Sequence, residues 1–182
     1  MKTNRLLEAS HCGLVIIDIQ EAFEKSISAL SDVVESASKL ARGFGLLGLP
    51  VVFTEQYPKG LGPTVADLRE HLSGAVFVEK HHFSACRDVS AILKAKDVKQ
   101  VLLCGIETHV CVNQTAHDLL ADGFEVHVVE DAVDSRHEFD RKTALRKMYG
   151  SGAIPSTVEM ALFELLNDSK HAKFKEIQAL IK

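Results

Sequence analysis

The stretch that decides the fold is Gln100-Val-Leu-Leu-Cys-Gly-Ile106, which is apolar after its first residue and has the length of a strand. Strands that are buried on both faces of a parallel sheet show continuous rather than alternating apolarity. Two further runs share this character, Gly13–Asp18 (GLVIID) and Pro50–Thr54 (PVVFT). The sequence therefore predicts a largely parallel sheet whose strands are covered on both faces.

Weaker strand signals alternate with helical patterns along the rest of the chain. Further strands are predicted at Glu125–Val129, Ala75–Val78 and Ala153–Ile154. Helices are predicted at Ser31–Leu47, Val110–Leu120, Glu138–Met148, from Ser156 or Thr157 to Leu166, and at Lys170–Ile181. Alternating strands and helices are typical of α/β proteins with helices on both faces of the sheet. We expect one domain over residues 1–182.

Three glycines match a dinucleotide-binding fingerprint by letter alone. Gly43, Gly45 and Gly48 have the spacing G-x-G-x-x-G, but they close a predicted helix and precede a strand. In a dinucleotide site the fingerprint follows a strand and opens a helix. We therefore assign these glycines to the end of the helix and predict no cofactor.

Composition narrows the possible partners and the compartment. The 182 residues include 21 basic and 25 acidic side chains, so the net charge of −4 lacks the basic footprint of a nucleic-acid-binding protein. No apolar stretch is long enough to cross a bilayer, and residues 1–10 lack the apolar segment of a secretory signal. The four cysteines, Cys12, Cys86, Cys104 and Cys111, form no C-x-x-C pair. We predict a cytoplasmic protein with no membrane or nucleic-acid partner.

Three polar residues at predicted strand ends mark a candidate site. Asp18 closes the first strand, Lys80 follows the weak third strand, and Cys111 follows the strongest strand at the start of a helix. Ligands of open α/β sheets bind beyond the carboxyl ends of the strands, so these side chains are expected to converge. Each residue alone also has a structural interpretation: Asp18 as a turn former, Lys80 as a solvated surface group and Cys111 as a small packing residue.

The chemistry of these three side chains favours nucleophilic catalysis. A helix N-terminus and a nearby ammonium lower the pKa of a thiol, so we expect Cys111 to be largely thiolate and the one reactive cysteine of the four. A carboxylate such as Asp18 can accept the thiol proton and return it to a leaving group. Cys104 is expected in the core. A metal site formed by His81, His82 and His109 is an alternative, although their spacing is not diagnostic.

The sequence around Cys111 resembles a known family. Gly105–Ala116 (GIETHVCVNQTA) resembles the nucleophile motif of the isochorismatase-like cysteine hydrolases. Leu14–Gln20 (LVIIDIQ) and Val78–Lys80 (VEK) resemble the first-strand and lysine motifs of that family, in matching order from about residue 10 to residue 166. Thr54–Thr64 and Asp131–Arg136 resemble the isochorismatase domain-containing subgroup.

The resemblance implies a three-layer α/β/α fold with a six-stranded parallel sheet and a catalytic triad. It assigns Cys111 as nucleophile, Asp18 as general base and then acid, and Lys80 as the residue that positions both. It also implies a cis peptide bond between Ile106 and Glu107, with the backbone N–H groups of Glu107 and Cys111 facing the oxyanion. Members of the family usually assemble, so we expect a homo-oligomer, with Ala161–Leu166 and the last helix as possible contact surfaces.

Two departures from related enzymes narrow the expected reaction. Nicotinamidases of this superfamily bind a metal through an aspartate and histidines after the second strand, where this chain reads Thr54-Glu-Gln-Tyr57. We therefore expect neither a metal nor nicotinamidase activity. True isochorismatases cleave a vinyl ether without a thiol nucleophile, so Cys111 favours acyl transfer.

We accordingly predict a hydrolase of a small amide or related C–N bond that forms a thioester on Cys111. Residues expected to line the substrate pocket are Gln20, Phe23, Tyr57, His82, Thr108 and His109. Two alternatives stay open. An ether-hydrolysing isochorismatase would remain active after Cys111→Ala, and a catalytically idle scaffold would bind a ligand in the same crevice without turnover.

Overall fold

The computed structural model describes residues 5–182, so residues 1–4 of the N-terminal segment considered above lie outside it. Six parallel strands form one sheet in the order β3-β2-β1-β4-β5-β6. The strands are β1 (Cys12–Ile17), β2 (Val51–Gln56), β3 (Val76–Lys80), β4 (Gln100–Ile106), β5 (Glu125–Asp134) and β6 (Ile154–Ser156). The predicted parallel sheet is confirmed, and β5 extends beyond its predicted end at Val129.

The strand order places a topological switch point between β1 and β4. From β1 the chain moves outward through β2 to β3, and from β4 it moves the other way through β5 to β6. Crevices at such switch points, beyond the carboxyl ends of the strands, are where α/β proteins bind ligands. Asp18 directly follows β1 and Cys111 lies shortly after β4, so both residues lie at this crevice.

Helices cover both faces of the sheet and complete a three-layer sandwich. They are α1 (Leu30–Leu47), α2 (Pro58–Leu61), α3 (Ala66–Arg69), α4 (Cys86–Ala95), α5 (Asn113–Ala121), α6 (Glu138–Gly150), α7 (Val158–Leu166) and α8 (Phe174–Ile181). Buried side chains of α1, α7 and α8 belong to one apolar cluster, and those of α4, α5 and α6 belong to the other.

Alternation along the central strands connects the sequence to these two clusters. In β1, Leu14 and Ile16 belong to the α1 side, whereas Val15 and Ile17 belong to the α4 side. Successive side chains of a strand point to opposite faces, so a strand between two helical layers needs apolar residues at every position. This requirement explains the unbroken apolar runs of β1 and β4.

Helix α4 was not predicted, although its sequence carries a helical pattern. Cys86, Val89 and Leu93 recur at helical spacing and are its buried residues. The last helix begins at Phe174, later than the predicted Lys170. Thr157 rather than Ser156 caps α7, because its side chain accepts a hydrogen bond from the backbone N–H of Met160.

Two of the three fingerprint glycines lie inside α1 rather than at its end. Gly48 ends the helix in the left-handed conformation (φ 69°), as predicted for a C-terminal glycine. Gly43 lies where α1 meets α7, and a Cβ there would lie 2.4 Å from Cδ2 of Leu162. Gly43 therefore serves close helix packing.

The apolar stretch expected to form an oligomer contact is largely used within the chain. Ala161, Leu162, Leu165 and Leu166 are buried in the core, and so are Ile177 and Leu180 of α8. The side chains of Met160 and Phe163 remain exposed on α7. Within residues 5–182, no helix has both the length and the apolarity needed to span a bilayer.

The contact between β1 and β4 depends on Gly105. Its φ is +120°, and a Cβ at this position would lie 2.1 Å from the carbonyl oxygen of Ile17. Real side chains do not approach a backbone oxygen this closely, so only glycine lets the two strand ends meet. Gly105 therefore sets the spacing of the crevice that separates Asp18 from the turn carrying Cys111.

We predict that Gly105→Ala destabilises the fold by more than about 3 kcal/mol, because positive φ and backbone overlap act together. Gly123→Ala is the matched control, since Gly123 also has a positive φ (92°) but no atom within 4 Å of its Cβ position. The control should lose only about 1 kcal/mol. Urea unfolding of both variants measures the difference, and equal losses would contradict the close-approach explanation.

Candidate active site

Asp18 lies at the carboxyl end of β1 with a left-handed backbone, φ 51°. Non-glycine residues in this conformation are uncommon and cluster at functional sites. The side chain is buried. Its Oδ1 accepts a hydrogen bond from Thr54 Oγ1 at 2.6 Å, and its Oδ2 lies 2.6 Å from Lys80 Nζ. The carboxylate is thus held from both sides.

Lys80 ends the edge strand β3, and its side chain extends past β2 to reach Asp18. The side chain is fully buried. Besides Asp18, its Nζ has three acceptors, namely Gln56 Oε1 at 2.8 Å and the carbonyl oxygens of Phe83 at 3.0 Å and His82 at 3.2 Å. An ammonium has three protons to donate, so these acceptors replace the water lost on burial.

Cys111 lies in a π-helical turn, Thr108–Val112, between β4 and α5. Its thiol interacts with both Asp18 and Lys80. Burial raises the pKa of Cys111 to about 12; the Asp18 carboxylate adds to the rise, and the Lys80 ammonium opposes it. The expectation of a lowered pKa is therefore wrong, because desolvation and the carboxylate together outweigh the ammonium.

The pKa does not distinguish Cys111 from the other cysteines, all of which are buried. Burial raises the pKa of Cys12 to about 12 and that of Cys86 to about 11, and it also raises the pKa of Cys104, which lies in the core as predicted. What distinguishes Cys111 is that the Asp18 carboxylate and the Lys80 ammonium both act on its pKa.

The turn that carries Cys111 is anchored at Glu107. The peptide bond between Ile106 and Glu107 is cis, at the position that the family resemblance implied. The carbonyl oxygen of Glu107 accepts hydrogen bonds from Val110 N at 3.1 Å and Val112 N at 3.3 Å. Its buried side chain accepts two bonds from Arg136, through the backbone N–H and Nε, both at 3.0 Å.

Gln20, a predicted pocket residue, makes hydrogen bonds with backbone groups of neighbouring segments. The side chain is fully buried. Its Oε1 accepts a hydrogen bond from Gln56 N at 2.8 Å, and its Nε2 donates to the carbonyl oxygens of Gln56 at 3.1 Å and Gly62 at 2.6 Å. Gln20 therefore ties the chain beyond β1 to β2 and the following loop.

Thr108 has the strongest structural case among the predicted pocket residues. It is fully buried, and its Oγ1 has no hydrogen-bond partner within residues 5–182. A buried polar atom without a partner is costly, which suggests that a ligand or water completes it. Thr108 and Cys111 belong to the same turn.

The other predicted pocket residues lie on loops and turns around the site. His109 Nδ1 lies 3.0 Å from Ser135 Oγ beyond β5. His82 pairs with Arg87 at 3.0 Å and lines a cavity of about 420 Å³ against α5. The Tyr57 ring is exposed and packs 5.7 Å from that of His81, whereas Phe23 packs against the core. Their contact with a substrate stays a prediction.

Two residues of β2 were missed by the sequence analysis. Thr54 donates to Asp18, and Gln56 accepts from Lys80 while donating through Nε2 to the carbonyl oxygen of His81 at 2.8 Å. Residues two apart on a strand point to the same face. Once β2 is placed beside β1, Thr54 and Gln56 share a face of the sheet near its carboxyl end, where Asp18 lies.

The residues at the end of β2 do not fit the metal site of nicotinamidases. Glu55 is buried, and its Oε1 accepts hydrogen bonds from Thr64 N at 2.6 Å and Thr64 Oγ1 at 2.8 Å. In the described part of the chain, no three His, Cys, Asp or Glu side chains are grouped so that they could hold a metal ion. His81, His82 and His109 likewise do not assemble into such a group.

The family model of the isochorismatase domain matches residues 12–160. The chain belongs to the isochorismatase family. It is 45% identical over 168 residues to isochorismatase domain-containing protein 1 of Salmo salar, covering 91% of this chain and 59% of that protein. It is 44% identical over 173 residues to isochorismatase domain-containing protein 2 of Danio rerio, covering 92% of this chain and 85% of that protein.

Solved structures share the fold of this isochorismatase-family chain. The structure of MAR1 ribonuclease from Caenorhabditis elegans superposes with a TM-score of 0.93 at 41% identity, covering 97% of this chain and 92% of that one. The three-layer fold implied by the resemblance is thus confirmed, and the chain is a member of an isochorismatase-like hydrolase family.

We predict that Thr54→Val lowers the free energy of unfolding by about 1–3 kcal/mol, because valine keeps the shape but leaves a buried Asp18 oxygen without its donor. Thr143→Val on the exposed face of α6 is the matched control and should change stability by less than about 0.5 kcal/mol. Urea unfolding at neutral pH measures both. Equal small effects would show that Thr54 does not support the carboxylate.

Proposed function

We propose that this chain hydrolyses a small amide or related C–N bond through a thioester on Cys111. The observation that carries the proposal is a buried thiol that interacts with both members of a buried ion pair, Asp18 and Lys80, whose charged atoms lie 2.6 Å apart. Water and the amide together give a carboxylic acid and an amine. Each side chain has one role in that reaction.

In the first half of the reaction, Sγ of Cys111 attacks the carbonyl carbon while Asp18 accepts the thiol proton. The raised pKa keeps Cys111 protonated at rest, so attack and proton transfer occur together. Backbone N–H groups of Glu107 and Cys111 donate to the developing oxyanion. The C–N bond then breaks, and Asp18 returns the proton to the leaving nitrogen.

In the second half, water attacks the thioester carbon and Asp18 accepts a proton from that water. The C–S bond breaks, the sulfur regains a proton and the carboxylic acid leaves. Lys80 faces the Asp18 carboxylate at rest and again in the thioester state, and it faces a protonated Asp18 while the negative charge lies on the oxyanion. Its four protein acceptors hold the ammonium in place while that charge moves.

Two other reactions compete with amide hydrolysis. An isochorismatase-type ether cleavage needs no thiol. The similar Caenorhabditis elegans structure carries the name ribonuclease, and RNA cleavage through the 2′-hydroxyl of the substrate would also need no protein thiol. The net charge of −4 gives little attraction for RNA. Acyl transfer requires the Cys111 thiol and the other two reactions do not, so dependence on Cys111 distinguishes them.

We further propose that the chain acts as one domain in a cytoplasmic homo-oligomer, with a small molecule as its substrate. Met160 and Phe163 offer exposed apolar side chains on α7 for a contact between subunits. The products of this mechanism are a small carboxylic acid and ammonia or an amine.

We predict that Cys111→Ala, Asp18→Asn and Lys80→Ala each lower turnover by about 10³-fold or more, because the three side chains act as one unit. Release of ammonia or amine is followed over small amides and ureides, and cleavage of the substrate itself is followed for isochorismate and RNA. Lys94→Ala is the matched control, since it breaks an exposed ion pair with Asp122 of the same 2.6 Å length. Circular dichroism checks the fold, because opening a buried pair costs about 3–5 kcal/mol.

The Cys111→Ala variant separates the competing reactions. Turnover close to that of the unmodified chain would exclude the thioester and favour ether or RNA cleavage, according to which substrate reacts. Absence of turnover on every substrate in the folded, unmodified chain would favour a binding protein without catalysis.

We predict that Asp18→Asn speeds the alkylation of Cys111 by iodoacetamide while abolishing hydrolysis. The Asp18 carboxylate raises the pKa of Cys111, so its removal lowers that pKa and increases the thiolate fraction. Each unit of lowering gives about tenfold more thiolate at a given pH below the pKa. Lys80→Met should slow alkylation, because the ammonium lowers the same pKa.

Cys86 is an internal control for this measurement. Cys86 and Cys111 are each 8% exposed, but acidic groups on α5 and the loop after it, rather than Asp18, act on Cys86. Peptide mapping across roughly pH 7 to 9 should therefore show unchanged labelling of Cys86 in both variants. Slower labelling of Cys111 in Asp18→Asn would instead mean that Asp18 promotes alkylation as a base.

A further inference from the structure

Arg136 lies beside the turn that carries Cys111. Ile106 of β4 pairs in register with Asp134 of β5, so the residues just beyond these strand ends lie side by side at the carboxyl edge. Arg136 reaches Glu107 across that edge through two hydrogen bonds of 3.0 Å. An arginine is thereby fixed beside Glu107, the residue just before the turn that carries Cys111.

The contact with Glu107 uses only part of the guanidinium. Both donors, the backbone N–H and Nε of Arg136, share the single oxygen Oε2. Within residues 5–182, Nε is the one guanidinium nitrogen of Arg136 that has a hydrogen-bond partner. The side chain is 53% exposed. The Nη1 and Nη2 donors therefore remain available to a planar anion.

An arginine that only neutralised Glu107 would not need to bind through Nε and the backbone N–H alone. A carboxylate and an arginine that serve only each other typically form two parallel hydrogen bonds. Here one oxygen anchors Nε and the backbone, and the paired Nη edge is left open. Ser135 is buried and lies 3.0 Å from His109 Nδ1, which holds the backbone next to Arg136 against the nucleophile turn. The guanidinium is thus anchored before a ligand arrives, which limits the entropy lost on binding.

We propose that Arg136 is a specificity-determining residue that binds a carboxylate of the substrate. The substrate class is then a small amide that also carries a carboxylate a few bonds from the scissile C–N bond. The reaction part of this inference rests on the proposed function, whereas the binding part does not. Arg136 acts on recognition and takes no proton.

Succinamate and butanamide are suitable probes, since they are amides of similar length with and without a carboxylate. Arg136→Gln should lower kcat/KM for succinamate by roughly 10- to 100-fold, the value of a charge-assisted pair, through KM rather than kcat. Butanamide should change little. Arg136→Lys keeps the charge without the fork and should recover only part of the loss. Arg146→Gln, on the exposed face of α6, removes the same charge as a control.

Protection of Cys111 from iodoacetamide by succinate tests binding without turnover. Succinate should protect the unmodified chain and Arg146→Gln but not Arg136→Gln, with circular dichroism confirming the fold. Protection that depends on Arg136 without any hydrolysis would support this inference and oppose the proposed function. Hydrolysis that depends on Cys111, with equal losses for both amides in Arg136→Gln, would overturn this inference and leave the proposed function standing. Absence of protection in the unmodified chain, or equal loss in Arg146→Gln, would also overturn it.

Discussion

The ion pair between Lys80 and Asp18 is the interaction on which the carboxyl edge of the sheet depends. Lys80 reaches from edge strand β3 past β2 to the end of β1, so one side chain ties three strands together. Burying two charges costs several kcal/mol in desolvation, and such pairs are poor sources of stability. Thr54, Gln56 and two loop carbonyls offset that cost by supplying the hydrogen bonds that water would otherwise make.

This arrangement also explains why a raised thiol pKa is compatible with catalysis. A permanently ionised thiolate would place a second negative charge beside the Asp18 carboxylate in a site with one ammonium. A neutral thiol avoids that repulsion, and it resists oxidation because thiolates are the species that oxidants attack. Lys80 can then stabilise the single negative charge wherever the proton transfer leaves it.

The sequence predicted the parts of the fold that depend on local pattern, and it missed those that depend on packing. Unbroken apolarity located β1 and β4 because both faces of these strands are buried. The resemblance of the stretch that contains Thr54 and Gln56 assigned neither residue a role, and their role becomes visible only when β2 is aligned with β1. The predicted shift in the pKa of Cys111 was wrong in direction. The sequence shows which charges lie near a thiol, but it does not show the loss of water around that thiol. The polarity of Gln20 likewise gave no sign that neighbouring backbone groups occupy its amide, and its contact with a substrate stays a prediction.

The switch point divides the candidate site into two halves with separate supports. Asp18, Lys80 and the residues that hold them belong to β1, β2 and β3, whereas Cys111, Glu107 and Arg136 follow β4 and β5. The halves meet where Gly105 lets β4 approach Ile17. The hydrogen bonds of Arg136 go to Glu107, whereas Lys80 pairs with Asp18 and donates hydrogen bonds to β2 and its own loop. Under the proposed mechanism, residues beyond β5 can change which substrate binds while Asp18 and Lys80 keep their geometry. One fold could then serve different substrates with the same proton-transfer groups.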